Sequence, residues 1–152
     1  MSNSTIPKRL FGVNTLKPEE LTMKYLCLIC AETVLEQMPD DIAEQHIQEY
    51  ADFTQTIRDG GHYLSCNRLL PANAAITLRV RNGKVSTTDG PFAETKEQLG
   101  GYYLIEARDL NEAIQIAAHI PGAKFGCVEV RPVAEDERTL YALGLANPNA
   151  SL

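Results

Sequence analysis

An α+β fold is predicted for this 152-residue chain by three observations. The hydrophobic period alternates between strand-like and helix-like along the sequence, two helix-like segments each stand between strand-like ones, and Asn82-Gly83 supplies a hairpin turn. The resulting order, β-α-β-β-α-β with an added hairpin, is the ferredoxin-like arrangement: an antiparallel sheet carrying both helices on one face.

Each element has a local cause. Tyr25 to Cys30 is an unbroken apolar run, the pattern of a strand covered on both faces. Asp41 with Glu44 three positions on reads as a capping box, and Ile42, His46, Tyr50, Phe53 and Ile57 recur at helical spacing until Gly60-Gly61 stops the helix. His62 to Leu70 is expected as a second strand and Ala75 to Arg81 as a third, which Asn82-Gly83 turns into Lys84 to Thr88. Gly101 to Ala107 is the next strand. Asp109 and Glu112 form a second capping box, opening a helix that Pro121-Gly122 ends, and Gly126 to Val133 closes the sheet. Beyond Glu135 only a helix-like stretch around Arg138 to Leu143 stands out.

Strict alternation puts Leu26, Leu28 and Cys30 on one face and Tyr25, Cys27 and Ile29 on the other, and sets Tyr102 and Leu104 against Tyr103 and Ile105. Neither face is polar. With helices on one side only, the other calls for a partner, and a face-to-face homodimer is expected.

A chain of this length forms one domain. Residues 1–22 are expected to be a flexible extension, or an upstream start that the cell does not use; 23–135 are the folded domain and 136–152 a C-terminal tail. The 44% hydrophobic and 22% charged residues describe an ordinary globular protein, and no apolar run approaches the roughly 20 residues that span a bilayer. The net charge of -6 argues against a nucleic-acid partner. Residues 1–22 lack the apolar core of a secretory signal, so a cytoplasmic protein is expected. Cys27 and Cys30 have the spacing of a redox or zinc pair, but residues three apart on a strand point to opposite faces, so free thiols and no metal are expected. No phosphate loop, dinucleotide fingerprint or metalloprotease motif occurs, and no cofactor is expected.

The segment Thr88-Asp89-Gly90-Pro91-Phe92-Ala93-Glu94-Thr95-Lys96-Glu97-Gln98-Leu99-Gly100-Gly101-Tyr102-Tyr103 closely resembles the signature of the DGPF-containing branch of the YCII-related family. The likeness extends from Met23-Lys24-Tyr25-Leu26 to Gly126-Cys127-Val128-Glu129-Val130-Arg131-Pro132. It implies a small dimeric α+β barrel protein. It carries no reaction with it, although such proteins are described as candidate enzymes and are often encoded beside extracytoplasmic-function sigma factors.

Asp89 is the leading candidate acid or base. Pro91 stiffens the Asp89-Gly90-Pro91 turn, which projects a short carboxylate in a fixed direction beside Phe92; equally, an Asp before Gly commonly bonds its own turn amides. Glu94, Lys96 and Glu97 follow, either lining a pocket or standing in solvent, with Lys96 the anion-binding candidate. His46 and Tyr50 share the apolar face of the first helix one turn apart, as core residues or as catalytic partners. In YCII-like relatives without the DGPF segment, a histidine eleven residues before the terminal glycine pairs with an aspartate as a candidate dyad; counting back from Gly61, that position holds Tyr50. His62 opens the second strand on the face expected for Leu64, Cys66 and Arg68, as a catalytic hydrogen-bonding partner or as a strand-start histidine with no role, and Arg68 is placed to meet an acidic substrate. His119 is expected to complement a helix C-terminus.

Two main functions follow. One is a cofactor-independent enzyme, of isomerase or lyase type, acting by proton transfer on a small polar organic molecule. The alternative is a noncatalytic ligand-binding or regulatory module linked to sigma-factor signalling; a purely structural dimer is a third.

Overall fold

The computed structural model describes residues 21–146, and the expectations for 1–20 and 147–152 lie outside the described residues. Four strands, β1 (Met23–Ala31), β2 (Tyr63–Arg68), β5 (Gln98–Ala107) and β6 (Gly126–Pro132), form one antiparallel sheet in the order β2-β5-β1-β6. The helices α1 (Asp40–Asp59) and α2 (Leu110–Ala117) connect them as the ferredoxin-like order requires. Strands β3 (Ile76–Arg81) and β4 (Lys84–Asp89) pair only with each other, making the added hairpin a separate two-stranded ribbon. A short helix, α3 (Glu137–Ala142), follows the last strand.

The two faces of the sheet separate as alternation requires. Tyr25, Cys27, Ile29, Tyr103, Ile105 and Ala107 are buried with Phe53 and Ile57 of α1 and Ala113, Ile116 and Ala117 of α2. Leu26, Leu28, Cys30, Tyr102 and Leu104 point the other way and are half-buried. In register, Cys27 faces Tyr103 while Leu26 faces Leu104 and Leu28 faces Tyr102. The apolar content of the central strands therefore reflects two different surfaces.

Local sequence fixes most element ends. Past α1, the His62 amide bonds the Ile57 carbonyl at 2.8 Å and the Gly61 amide the Arg58 carbonyl at 3.0 Å, with Gly61 at φ 76°, a left-handed turn that glycine accepts without strain. Asn82 and Gly83 both have positive φ, the geometry of a type I′ hairpin. The Asp109 side chain accepts from the Glu112 amide at 2.9 Å and caps α2. The first capping box does not form: α1 begins at Asp40 after Pro39, with no side-chain cap, because Pro39 in extended conformation already delivers its carbonyl to the Ala43 amide at 2.8 Å.

Two register shifts depart from strict alternation. One lies between Ile29 and Cys30 on the β5 side. In the other, Leu64 is an extra residue between Tyr63, opposite Ile105, and Ser65, opposite Leu104. Tyr63 and Cys66 consequently pack on the helix-side core, and the common face expected for His62, Leu64, Cys66 and Arg68 is broken at that bulge. Strand β2 is also shorter than His62 to Leu70, ending at Arg68.

Candidate functional site

Between α1 and the ends of β1, β2 and β5 lies a cavity of about 520 Å³, mostly apolar in lining. Helix α1 contributes His46, Tyr50 and Thr54 at intervals of four, so one helical face presents a ring nitrogen pair and two hydroxyls. Ile29, Ala31, Leu35, Met38, Leu69, Leu70 and Phe125 supply apolar walls, and Cys66, Arg68 and Tyr103 add polar atoms from the sheet.

The aromatic rings hold one another in place. His46 meets Tyr50 edge-on at 5.0 Å and Phe125 at 5.5 Å, Tyr50 stacks parallel to Tyr103 at 6.4 Å, and Phe53 abuts Tyr103 edge-on at 5.1 Å. Hydroxyl orientation follows from donor counting. Thr54 donates its only hydroxyl proton to the Tyr50 carbonyl at 2.7 Å, so across the 2.7 Å contact with the Tyr103 hydroxyl it is Tyr103 that donates. The Tyr50 hydroxyl accepts from the Gly122 amide at 3.0 Å. Its own proton has no acceptor among the described residues and is available to a bound molecule.

Burial pushes the Tyr103 phenol up to about 12, and it raises Tyr50 against the opposing effect of the Gly122 amide. Both are therefore protonated donors at neutral pH. Gly122 is tightly fitted here: a Cβ at that position would come 2.5 Å from the Tyr50 hydroxyl and 2.8 Å from Ile29 Cγ2. Nearer solvent, the exposed Arg68 guanidinium bonds Glu36 and holds its carboxyl below the usual carboxylate range.

Of the residues singled out from sequence, His46, Tyr50 and Arg68 line this cavity. Asp89, Phe92, Glu94 and Lys96 do not. Asp89 ends β4 opposite Ile76, exposed, and Phe92 is 84% exposed, so no apolar cover forms over the carboxylate. The turn itself is held by backbone: the Gly90 amide bonds the Ala75 carbonyl at 2.7 Å, and Thr77 Oγ1 donates to the Gly90 carbonyl at 2.8 Å. Gly90 has φ 98°, a conformation glycine supplies. Glu94 is exposed, and Lys96 lies 3.6 Å from Glu32 at the surface. His62 is buried elsewhere, its Nδ1 2.8 Å from the Glu106 carbonyl and 3.9 Å from the buried Glu112 of α2. His119 follows α2, and burial lowers its pKa, the reverse of what a protonated dipole complement needs.

Thr54, Cys66, Tyr103 and Gly122 were not marked as site residues by sequence reasoning. Thr54 continues the His46-Tyr50 spacing and was within reach of it; the other three belong to the cavity only through contacts distant in sequence.

The profile of the YCII-related domain family matches residues 23–136, and the chain belongs to that family. An uncharacterized protein of Rhizobium meliloti (strain 1021) is 51% identical over 69 residues, which cover 44% of this chain and 56% of that protein. The match thus spans little more than half the length of that relative. No helix among the described residues is long and apolar enough to cross a membrane.

Proposed function

We propose that this chain binds a small organic molecule, with an apolar body and one anionic group, in the α1 cavity and transfers a proton on it without a cofactor. The observation that carries this reading is the convergence of His46, Tyr50 and Arg68 on one cavity of about 520 Å³, a size common for small-molecule sites. Arg68 would exchange part of its bond with Glu36 for the ligand's anionic group. Tyr50 would donate its unused proton to a carbonyl oxygen, where negative charge develops as an adjacent carbon loses a proton. His46 would take that proton and return it, as histidine does near neutral pH. Returned to another atom the proton gives an isomerisation; loss of a leaving group instead gives a lyase reaction.

A thermal-shift screen of small carboxylates, keto acids and aromatic acids tests the binding, because a ligand of the folded state raises apparent stability by mass action. The expected hit weakens in Arg68→Ala and in Tyr50→Phe. Incubation of that hit in heavy water, followed by NMR, then tests the chemistry: deuterium enters the ligand with the native chain and not with His46→Ala. No hit, or a hit indifferent to both cavity variants, rejects the site. A hit that acquires no deuterium assigns the noncatalytic binding module, a reading favoured by the position of Asp89 outside the cavity. The assembly we propose is a homodimer formed through the helix-free face of the sheet.

A further inference from the structure

On the helix-free face, Cys30 of β1 stands directly opposite Cys127 of β6. The ladder runs without a register shift from Tyr25 opposite Pro132 to Ala31 opposite Gly126. Its phase is set by the Val133 amide, which bonds the Lys24 carbonyl at 2.9 Å. Hydrogen-bonded and non-hydrogen-bonded pairs alternate along such a ladder. Pro132, which has no amide proton, falls at a non-hydrogen-bonded place, and Cys30 with Cys127 falls at a hydrogen-bonded one. Cα atoms in such pairs are about 5.5 Å apart, within the roughly 4.4–6.8 Å that disulfides span, and the Cβ atoms, at the wide end of about 4.5–5.5 Å, must close by about 1 Å for the bond to form, a strain that keeps it reducible. The strands meet closely here: a Cβ on Gly126 would lie 2.8 Å from Ala31 Cα and closer still to the Cys30 carbonyl. Each thiol acts on the ionisation of the other, as its place directly across the ladder requires.

The pair occupies a corner of the sheet. Cys127 is the second residue of an edge strand and is exposed, and Cys30 is half-buried. The other two cysteines are differently placed. Cys27 is buried on the helix side, and Cys66 is separated from it by β5, both being opposite Tyr103.

We propose that Cys30 and Cys127 are a modification site that forms a reversible intramolecular disulfide by exchange with a small-molecule disulfide such as oxidised glutathione. One cysteine, as thiolate, attacks a glutathione sulfur, breaking that S–S bond and releasing one glutathione thiolate. The neighbouring cysteine loses its proton and displaces the second glutathione from the mixed disulfide. The two protein thiols give up two electrons and two protons, and both pass to the glutathione, which leaves as two thiols. Glu97 precedes β5 at this corner, where Gln98 pairs with Ala31, and its carboxylate disfavours the Cys127 thiolate, pushing that thiol up to about 11, while burial raises Cys30. The pair is therefore slow at neutral pH and quickens as pH rises.

The full chain is incubated with oxidised glutathione at pH 8, its remaining thiols are alkylated, and the linked peptides are mapped by mass spectrometry. A Cys30–Cys127 link within one chain is expected, removed by dithiothreitol. In Cys30→Ser and Cys127→Ser the reaction should stop at a glutathione adduct on the remaining cysteine of the pair. Glu97→Gln should speed bridge formation several-fold at pH 7. Persistent alkylation of both cysteines, links through Cys27 or Cys66, links between chains, or stable adducts on the native chain would each overturn the proposal.

Discussion

Tyr50 shows how a single side chain in this fold serves packing and recognition together. Its ring is fixed between His46 and Tyr103, and its oxygen satisfies the Gly122 amide. Tyr50→Phe should cost about 1–2 kcal/mol through the unpaired amide, read by denaturant unfolding, and should weaken the ligand response. Gly122→Ala acts on the same contact from the other side. With the Tyr50 hydroxyl and Ile29 in the way of a methyl group, it should destabilise by about 1–3 kcal/mol. Tyr103 gives a pH signature. Its folded pKa of about 12 exceeds the ordinary 10.0, so its protonated form contributes stability that is complete below pH 10 and is lost as pH rises toward 12. A comparison of melting temperatures from pH 9 to 11 should show a smaller alkaline loss in Tyr103→Phe than in the native chain. Asp89 contrasts with both. Exposed, and without a hydrogen-bonding partner among the described residues, it can be changed to Ala at a cost within about 0.5 kcal/mol. An Asp89→Ala chain that keeps its stability and loses the ligand response would show that this carboxylate acts on a ligand away from its own chain's cavity.

At the scale of elements, the hairpin and the sheet should behave as separate cooperative units. Strands β3 and β4 pair only with each other, and Ile76, Leu78, Val80 and Val85 are exposed along one of its faces. A lone two-stranded ribbon is marginal in water. Amides of β3 and β4 should therefore exchange with solvent well before those of β1 and β5, measured by hydrogen exchange. Slow exchange throughout the hairpin would mean that something covers it. The boundaries of these units were legible where the cause is local: the Asn82-Gly83 turn, the Asp109 cap and the Gly60-Gly61 stop each depend on a few adjacent residues. Asp41 misled because its capping pattern competes with Pro39, whose extended backbone already starts the helix two residues earlier. The Leu64 bulge could not be read from β2, since it is defined by where Ile105 and Leu104 lie on another strand. The site divides in the same way: His46 and Tyr50 follow from helical spacing, whereas their junction with Tyr103, Gly122 and Arg68 is made by tertiary packing. The segment around Asp89 is the most recognisable in sequence, but what is legible there is a turn, and a turn's sequence does not say which cavity it adjoins.

For the whole molecule, the helix-free face of the sheet sets the expected assembly. Leu26, Leu28, Tyr102 and Leu104 occupy its centre on β1 and β5. The flanking strands are more polar: β6 brings Glu129 and Arg131, paired at 2.7 Å, and on β2 Asn67 donates to the Tyr102 hydroxyl at 2.8 Å. An apolar centre within a polar border is how an interface is built, and a two-fold axis through that centre would set the same leucines of two copies against each other. The net charge of -6 on each chain opposes the approach of two copies, so added salt should strengthen association by screening. Sedimentation equilibrium at micromolar concentration should find a dimer that becomes tighter between low and moderate salt. Leu28→Glu should yield a monomer, because it places a charge in the interface while leaving the opposite, helix-covered face intact; circular dichroism would confirm that the fold is kept. A native chain that stays monomeric at every salt concentration would mean that the half-buried leucines are tolerated in solvent, and the homodimer would have to be abandoned.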